Sequence, residues 1–134
     1  MNKNIGISVV RIGMSLVYLW FGSSQLIDTD KWTALIPGYA TKLIGVSTHT
    51  MVLGNGAFEI VFGLLLLIGF YSRFVSGILA LHAIHIVTIV GYNAIGVRDF
   101  GLAIAMIGVF LSSPDAWTLD YKKAQNRPIS NASY

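Results

Sequence analysis

The chain has 134 residues and no cysteine, and nine lysines and arginines against six acidic residues give it a net charge of +3. The absence of thiols excludes disulfides, thiolate nucleophiles, cysteine-held iron–sulfur clusters and c-type haem attachment, and so few scattered charges do not indicate a nucleic-acid-binding surface. With 54% hydrophobic and 11% charged residues and a mean hydropathy of +0.68, the composition predicts a single-domain integral membrane protein.

Four apolar stretches predict the fold, because each is close to the roughly 20 residues that a helix needs to cross a bilayer. They cover residues 5–27, 49–70, 74–93 and 97–113. We therefore predict an all-α, transmembrane up-down four-helix bundle over residues 1–113. Pro114 ends the last stretch, and residues 114–134 are predicted to form a partly disordered cytoplasmic tail.

The first stretch carries its polar residues on one helical face, since they recur at steps of three and four. They are Ser8, Arg11, Ser15, Tyr18, Gly22 and Gln25. Small residues in such a row are common where membrane helices pack closely. Arg11 needs either a buried partner or a route to the headgroups by snorkelling.

The connection between the first two stretches, residues 28–48, is predicted to be a loop with one turn of interfacial helix. Its Trp32 and Tyr39 are typical of the headgroup region. Two interpretations are open, a lid over the mouth of the bundle and a passive interfacial connector.

The only glutamate, Glu59, lies near the middle of the second stretch, one helical turn after Asn55. A carboxylate in hydrocarbon is costly unless it is paired, hydrated or protonated. We therefore expect Glu59 to face the interior of the bundle and to pair with Arg11 or Arg98.

The third stretch places His82 and His85 three residues apart on one side of a helix. This spacing can present two imidazoles to one metal ion, but only Glu59 is available as a further ligand. Two neutral, hydrogen-bonded histidines are the other interpretation, and we predict no metal site. In the fourth stretch, Arg98 and Asp99 point about 100° apart on a helix, so we expect that they do not satisfy only each other.

Short motifs follow one another through all four predicted helices. They are Arg11-Ile12-Gly13, Phe21-Gly22, the glycine-rich helix around Glu59, Gly69-Phe70-Tyr71-Ser72-Arg73 and Arg98-Asp99-Phe100-Gly101-Leu102. In this order they resemble the DoxX family of small four-helix membrane proteins. Where the family often has a lysine after the Phe-Gly pair, this chain has Gln25. The resemblance implies a prokaryotic inner-membrane protein, and some relatives are associated with quinone-linked oxidation or with redox-stress complexes.

On this basis we predict a redox-linked subunit without an intrinsic cofactor that binds a quinone or a similar apolar ring compound. The predicted catalytic residues are Glu59, His82 and His85, since imidazole and carboxylate can exchange protons with such a ligand. The predicted binding residues are Arg11, Tyr18, Gln25, Asn55, Arg98 and Asp99. The subunit would work in the lipid bilayer as a homo-oligomer or with a redox partner protein.

Two other functions are compatible with the same residues. The polar core could only fix helix packing in a non-catalytic binding or assembly protein, or it could serve proton-coupled transport, for which four short helices leave little room. A pocket beside Glu59 would favour ligand binding over assembly.

The basic residues predict the orientation in the membrane. Five of them fall on the side of the termini in a four-span topology (Lys3, Arg73, Lys122, Lys123 and Arg127), against three on the other side (Lys31, Lys42 and Arg98). Since basic residues are enriched on the cytoplasmic side, both termini are predicted to be cytoplasmic.

Overall fold

The structure, a computed structural model, describes residues 5–126 and contains seven helices over that range. They are α1 (Ile5–Ile27), α2 (Thr29–Thr33), α3 (Gly38–Ile44), α4 (Thr48–Ile68), α5 (Ser72–Val90), α6 (Ala94–Ser112) and α7 (Leu119–Gln125). Helices α1, α4, α5 and α6 are each long and apolar enough to cross a membrane. The predicted all-α bundle of four transmembrane helices is confirmed.

The ends of the long helices follow from local capping chemistry. The hydroxyl of Ser47 accepts a hydrogen bond from the Thr50 N–H and starts α4, and Gly69, at φ 70°, ends it. Asn93 accepts from two backbone N–H groups and starts α6 three residues before the predicted span. Such side-chain N-caps and left-handed glycine C-caps satisfy backbone groups that a helix leaves unpaired.

The four long helices pack most extensively as two antiparallel pairs, α1 with α4 and α5 with α6. Glycines allow the first pair to approach closely. A Cβ on Gly56 would lie 2.9 Å from the carbonyl oxygen of Gly22, and a Cβ on Gly22 would lie 2.7 Å from that of Gly56. Helices α4 and α5 run antiparallel across a tight turn, as predicted, but they contact each other much less.

The half of the bundle nearer the termini is filled with apolar side chains. The buried cluster consists of Met14, Tyr18, Leu66, Val75, Leu79, Ala80, Met106 and Val109. Beyond Tyr18 the two helix pairs leave a cavity between them, and this cavity lies at the end of the bundle away from the termini.

The connector between α1 and α4 contains two short helices where we predicted a single turn. The indole Nε1 of Trp32 donates to the Ser24 hydroxyl at 3.0 Å, and the hydroxyl of Tyr39 donates to the carbonyl of Ile89 at the end of α5. The connector is therefore attached to two different transmembrane helices and lies across the open end of the bundle.

The segment after α6 packs against the bundle over the described residues. Asp115 and Thr118 are fully buried, and the carboxylate of Asp120 accepts hydrogen bonds from the backbone N–H groups of Tyr71 and Ser72. This part of the chain is thus more ordered than the tail that we predicted. Residues 127–134, to which the prediction of partial disorder also applies, lie outside the described residues.

Candidate functional site

A cavity of about 190 Å³ opens between the helices at the end covered by the connector. Eight of the nine side chains predicted to be catalytic or ligand-binding line it: Tyr18, Gln25, Asn55, Glu59, His82, His85, Arg98 and Asp99. Arg11 does not. Four helices thus contribute polar groups to one cavity: α1 its polar face, α4 its carboxylate, α5 its imidazoles and α6 its first turns.

Glu59 is held by a chain of amide hydrogen bonds across the α1–α4 contact. The amide of Asn55 donates to Gln25 Oε1 at 2.7 Å, and Gln25 Nε2 donates to Glu59 Oε2 at 2.7 Å. The close approach of Gly22 and Gly56 brings these side chains within reach. Because Gln25 offers its N–H groups, one oxygen of Glu59 is fixed as a hydrogen-bond acceptor.

The second oxygen of Glu59 faces His82. Glu59 Oε1 lies 3.6 Å from His82 Nε2, which is too far for a hydrogen bond but close enough for a protonated imidazole to be attracted electrostatically. The imidazole ring packs on Phe58, with ring centroids 4.5 Å apart, and Phe58 in turn stacks on Phe62. The two phenylalanines therefore support the imidazole ring of His82. They do not line the cavity themselves.

Arg98 and Asp99 form an ion pair with each other, but, as expected, they do not satisfy only each other. Arg98 Nε lies 2.7 Å from Asp99 Oδ1, and the guanidinium also stacks over the ring of Phe21 at 4.4 Å. The long arginine side chain reaches the neighbouring carboxylate, so the 100° between adjacent positions does not separate the charged groups.

The prediction that Glu59 pairs with Arg11 or Arg98 is therefore wrong. Arg11 lies at the other end of the bundle, where its Nε donates to Asp115 Oδ2 at 2.7 Å and its Nη1 donates to the carbonyls of Leu66 and Leu67. Leu66 is seven residues from Glu59, about 10 Å along α4. Arg11 and Glu59 thus lie at different depths.

Asp115, with Arg11 and Ser8, forms what we call the terminal cluster. Ser8 donates to Asp115 Oδ1 at 2.6 Å, and the backbone N–H of Trp117 donates to the same oxygen at 3.0 Å. Burial raises the pKa of the Asp115 carboxyl, but hydrogen bonds from Arg11, Ser8 and Trp117 outweigh this effect, so its pKa is lowered. The cluster fastens the segment after α6 to α1 and α4.

Comparison with known families supports the resemblance seen in the sequence. The family model described as DoxX matches residues 6–92, which is more than half of the chain. The chain belongs to the DoxX family. No curated protein and no solved structure matches it. The matched part of this DoxX protein includes Glu59, His82 and His85, while Arg98, Asp99 and Asp115 lie beyond it.

Three buried side-chain atoms within residues 5–126 of this DoxX protein have no hydrogen-bond partner: His82 Nε2, Asp99 Oδ2 and Ser113 Oγ. The first two belong to cavity-lining residues. A buried polar group without a partner costs roughly 1–3 kcal/mol. A ligand or a water molecule that formed hydrogen bonds with these two atoms would therefore remove this cost.

The remaining walls of the cavity are mainly apolar. They come from α5 (Ile86 and Ile89), from α6 (Leu102) and from the connector (Trp32, Leu35 and Ile36). His85 lines the cavity as well, although its side chain is largely exposed. Within the described residues, no three His, Cys, Asp or Glu side chains come together in a way that could hold a metal ion.

The sequence analysis missed Asp115. Two signals were present: Arg11 needed a partner near the end of α1 that carries the N-terminus, and Asp115 is the first carboxylate after the fourth span, on the same side of the bundle. A comparison of the positions of these residues along the membrane normal would have favoured the pairing of Arg11 with Asp115 over its pairing with Glu59.

Proposed function

We propose that this DoxX protein binds a quinone or a similar apolar ring compound in its cavity, as the membrane subunit of a redox-linked system. The observation that carries this proposal is an apolar cavity whose wall contains two buried polar atoms without partners, His82 Nε2 and Asp99 Oδ2. A pocket beside Glu59 is the feature that favours ligand binding over assembly alone.

The size and chemistry of the cavity support an aromatic or quinoid ring. An apolar cavity of about 150 Å³ can hold benzene, and this one has about 190 Å³. A ring carbonyl can accept a hydrogen bond from a protonated His82, and a ring hydroxyl can donate one to Asp99. The apolar side chains of Ile86, Ile89 and Leu102 would contact the faces of the ring.

The catalytic roles of Glu59, His82 and His85 belong to this proposal. Reduction of a quinone to a quinol takes up two electrons and two protons. The chain contains no cysteine, and in this proposal a redox partner protein supplies the electrons. Glu59, fixed by Gln25 and 3.6 Å from His82, would orient the imidazole. His82 would pass one proton to the ligand, and His85, which also lines the cavity, would pass the second.

We further propose that the protein resides in the inner membrane of a prokaryotic cell with both termini cytoplasmic. The mouth of the cavity and its connector would then face the opposite side. The four membrane-spanning helices imply a lipid environment, and the distribution of basic residues supports the orientation.

Ligand binding can be tested by thermal unfolding of the purified protein with a short-chain benzoquinone. We expect the quinone to raise the melting temperature of the wild type. Ala83→Leu should abolish the rise, because Ala83 is buried and lines the cavity. Ala57→Leu is the matched control, since Ala57 is exposed on α4, and it should keep the rise.

The role of His82 is tested with His82→Phe, which keeps a ring against Phe58 and removes the nitrogen. This variant should bind the quinone more weakly, while His49→Phe, at an exposed histidine near the start of α4, should bind as the wild type does. If no quinone stabilises the wild type, or if Ala83→Leu retains the effect, the assembly function replaces this proposal.

A further inference from the structure

A second cavity lies on the outer face of the bundle, in a groove between α5 and α6. It has a volume of about 480 Å³ and is lined by apolar residues, among them Phe74, Gly77, Leu81, Ile84, Phe110 and Leu111. Phe74, Leu81 and Leu111 are each about two thirds exposed. Because both helices are long and apolar enough to span a membrane, this groove faces the hydrocarbon of the bilayer.

The length of the groove matches one leaflet. It runs along α5 from Phe74 to Ile84, ten residues or about 15 Å, which is half of the roughly 30 Å hydrocarbon core. Gly77 lets the ring of Phe110 pack closely against α5, since a Cβ there would lie 3.1 Å from that ring. An acyl chain that extends through one leaflet has this length.

The end of the groove nearer the termini carries a positive charge. Arg73 is exposed, its Nε donates to the carbonyl of Phe110 at 3.2 Å, and its guanidinium carbon lies 5.7 Å from the Phe110 ring. The nearby N-terminus of α5 is already capped by the carboxylate of Asp120. Arg73 is therefore the group that can receive an anion at this end of the groove.

We propose that the α5–α6 groove binds an anionic phospholipid from the leaflet on the side of the termini. One acyl chain lies between Phe74 and Ile84, and the phosphate contacts Arg73. Lys123, in the exposed helix α7 at the same end, adds positive charge that favours anionic over zwitterionic headgroups. A second protein copy fits this face less well, because its rim consists of large side chains, whereas close helix contacts in membranes favour small ones.

The test compares phosphatidylglycerol with phosphatidylcholine of the same acyl chains, each added to the delipidated protein in neutral detergent. We expect phosphatidylglycerol to raise the melting temperature more than phosphatidylcholine does. In Arg73→Gln the midpoint concentration for phosphatidylglycerol should increase roughly fivefold, the loss of one cationic contact. Lys42→Gln, which removes an exposed charge at the opposite end of the bundle, should leave the midpoint unchanged.

Four results would overturn the proposal. The first is equal stabilisation by the two lipids, and the second is an unchanged midpoint in Arg73→Gln. The third is the same stabilisation by inorganic phosphate, which would mean an anion site without a role for the acyl chain. The fourth is a dimer in detergent that is cross-linked through cysteines placed at Leu81, which would assign the groove to a second copy. Native mass spectrometry, in which one bound phosphatidylglycerol is expected on the wild type, checks the stoichiometry when a variant is unstable.

Discussion

The buried ion pair of Arg11 and Asp115 connects a residue outside the transmembrane spans to the helices of the bundle. Arg11 is 1% exposed and Asp115 is fully buried. The guanidinium satisfies the carboxylate and two carbonyls of α4 at once. A buried charge that has lost its partner is far more costly than a buried pair.

Asp115→Ala should therefore lower the free energy of unfolding by about 3–5 kcal/mol, because Arg11 would stay buried without its counter-ion. Thermal or denaturant unfolding in detergent measures this loss. The control is Asp30→Ala, which removes an exposed carboxylate on α2 and should change the stability by less than about 0.5 kcal/mol. Equal effects of the two substitutions would contradict the assigned importance of the terminal cluster.

The same pair makes the stability depend on pH at acid values. The pKa of Asp115 is lowered in the folded protein, so its contribution is complete above the unfolded value of about 4 and is lost as pH falls through the folded pKa. Melting curves between neutral pH and pH about 3 should show the onset of this loss in the wild type. Asp115→Asn, which cannot ionise, should be less stable at neutral pH and should show a smaller further loss on acidification.

At the scale of the helices, the α1–α4 contact decides how closely the cavity side chains approach one another. The hydrogen bonds from Asn55 to Gln25 and from Gln25 to Glu59 cross this contact beside Gly22 and Gly56. Any side chain at the crossing would push the helices apart and lengthen both bonds.

Gly56→Ala should thus destabilise the protein by about 1–3 kcal/mol, since overpacking of a filled contact costs this much and the new Cβ would lie 2.9 Å from a backbone oxygen. Gly54→Ala, on the same helix, is the matched control. Nothing lies within 4 Å of a Cβ at Gly54, and alanine is the better helix former, so its stability should be unchanged or higher. The free energy of unfolding of both variants is measured under the same conditions. A Gly56→Ala variant as stable as the wild type would contradict the close crossing of α1 and α4.

At the scale of the whole molecule, the structure separates into three layers along the membrane normal. The terminal cluster lies at one end, the apolar core lies in the middle, and the cavity with its connector lies at the other end. If both termini are cytoplasmic, the mouth of the cavity lies toward the outer side of the membrane.

The cysteine-free chain allows this orientation to be tested with single cysteines. Lys42→Cys on α3 and Lys123→Cys on α7 place exposed thiols at opposite ends of the bundle. In intact cells from which the outer membrane has been removed, a membrane-impermeant maleimide should label Lys42→Cys, and it should label Lys123→Cys only after lysis. The reverse pattern would place the termini outside and would invert the predicted topology.

The transmembrane fold and most of the cavity residues could be predicted from the sequence, because both depend on local patterns. Continuous apolar stretches of about 20 residues predict spanning helices, and steps of three and four placed Ser8, Arg11, Ser15, Tyr18 and Gln25 on the buried face that the structure confirms. Helix boundaries differed by a few residues, since caps such as Asn93 act over single side chains.

The pairing of the charged groups was decided only by the tertiary structure. Which cation meets which carboxylate depends on depth, on side-chain reach and on segments distant in sequence, and Arg11 and Asp115 are 104 residues apart. The close glycine crossing brings Gln25 to Glu59, and Arg98 pairs with one oxygen of Asp99 while the other oxygen has no partner. The sequence by itself determined which stretches cross the membrane, and the packing of the helices decided which of their polar residues face the cavity and which close the bundle, because hydrophobicity specifies insertion into the bilayer but carries no information about the partner of a buried polar group.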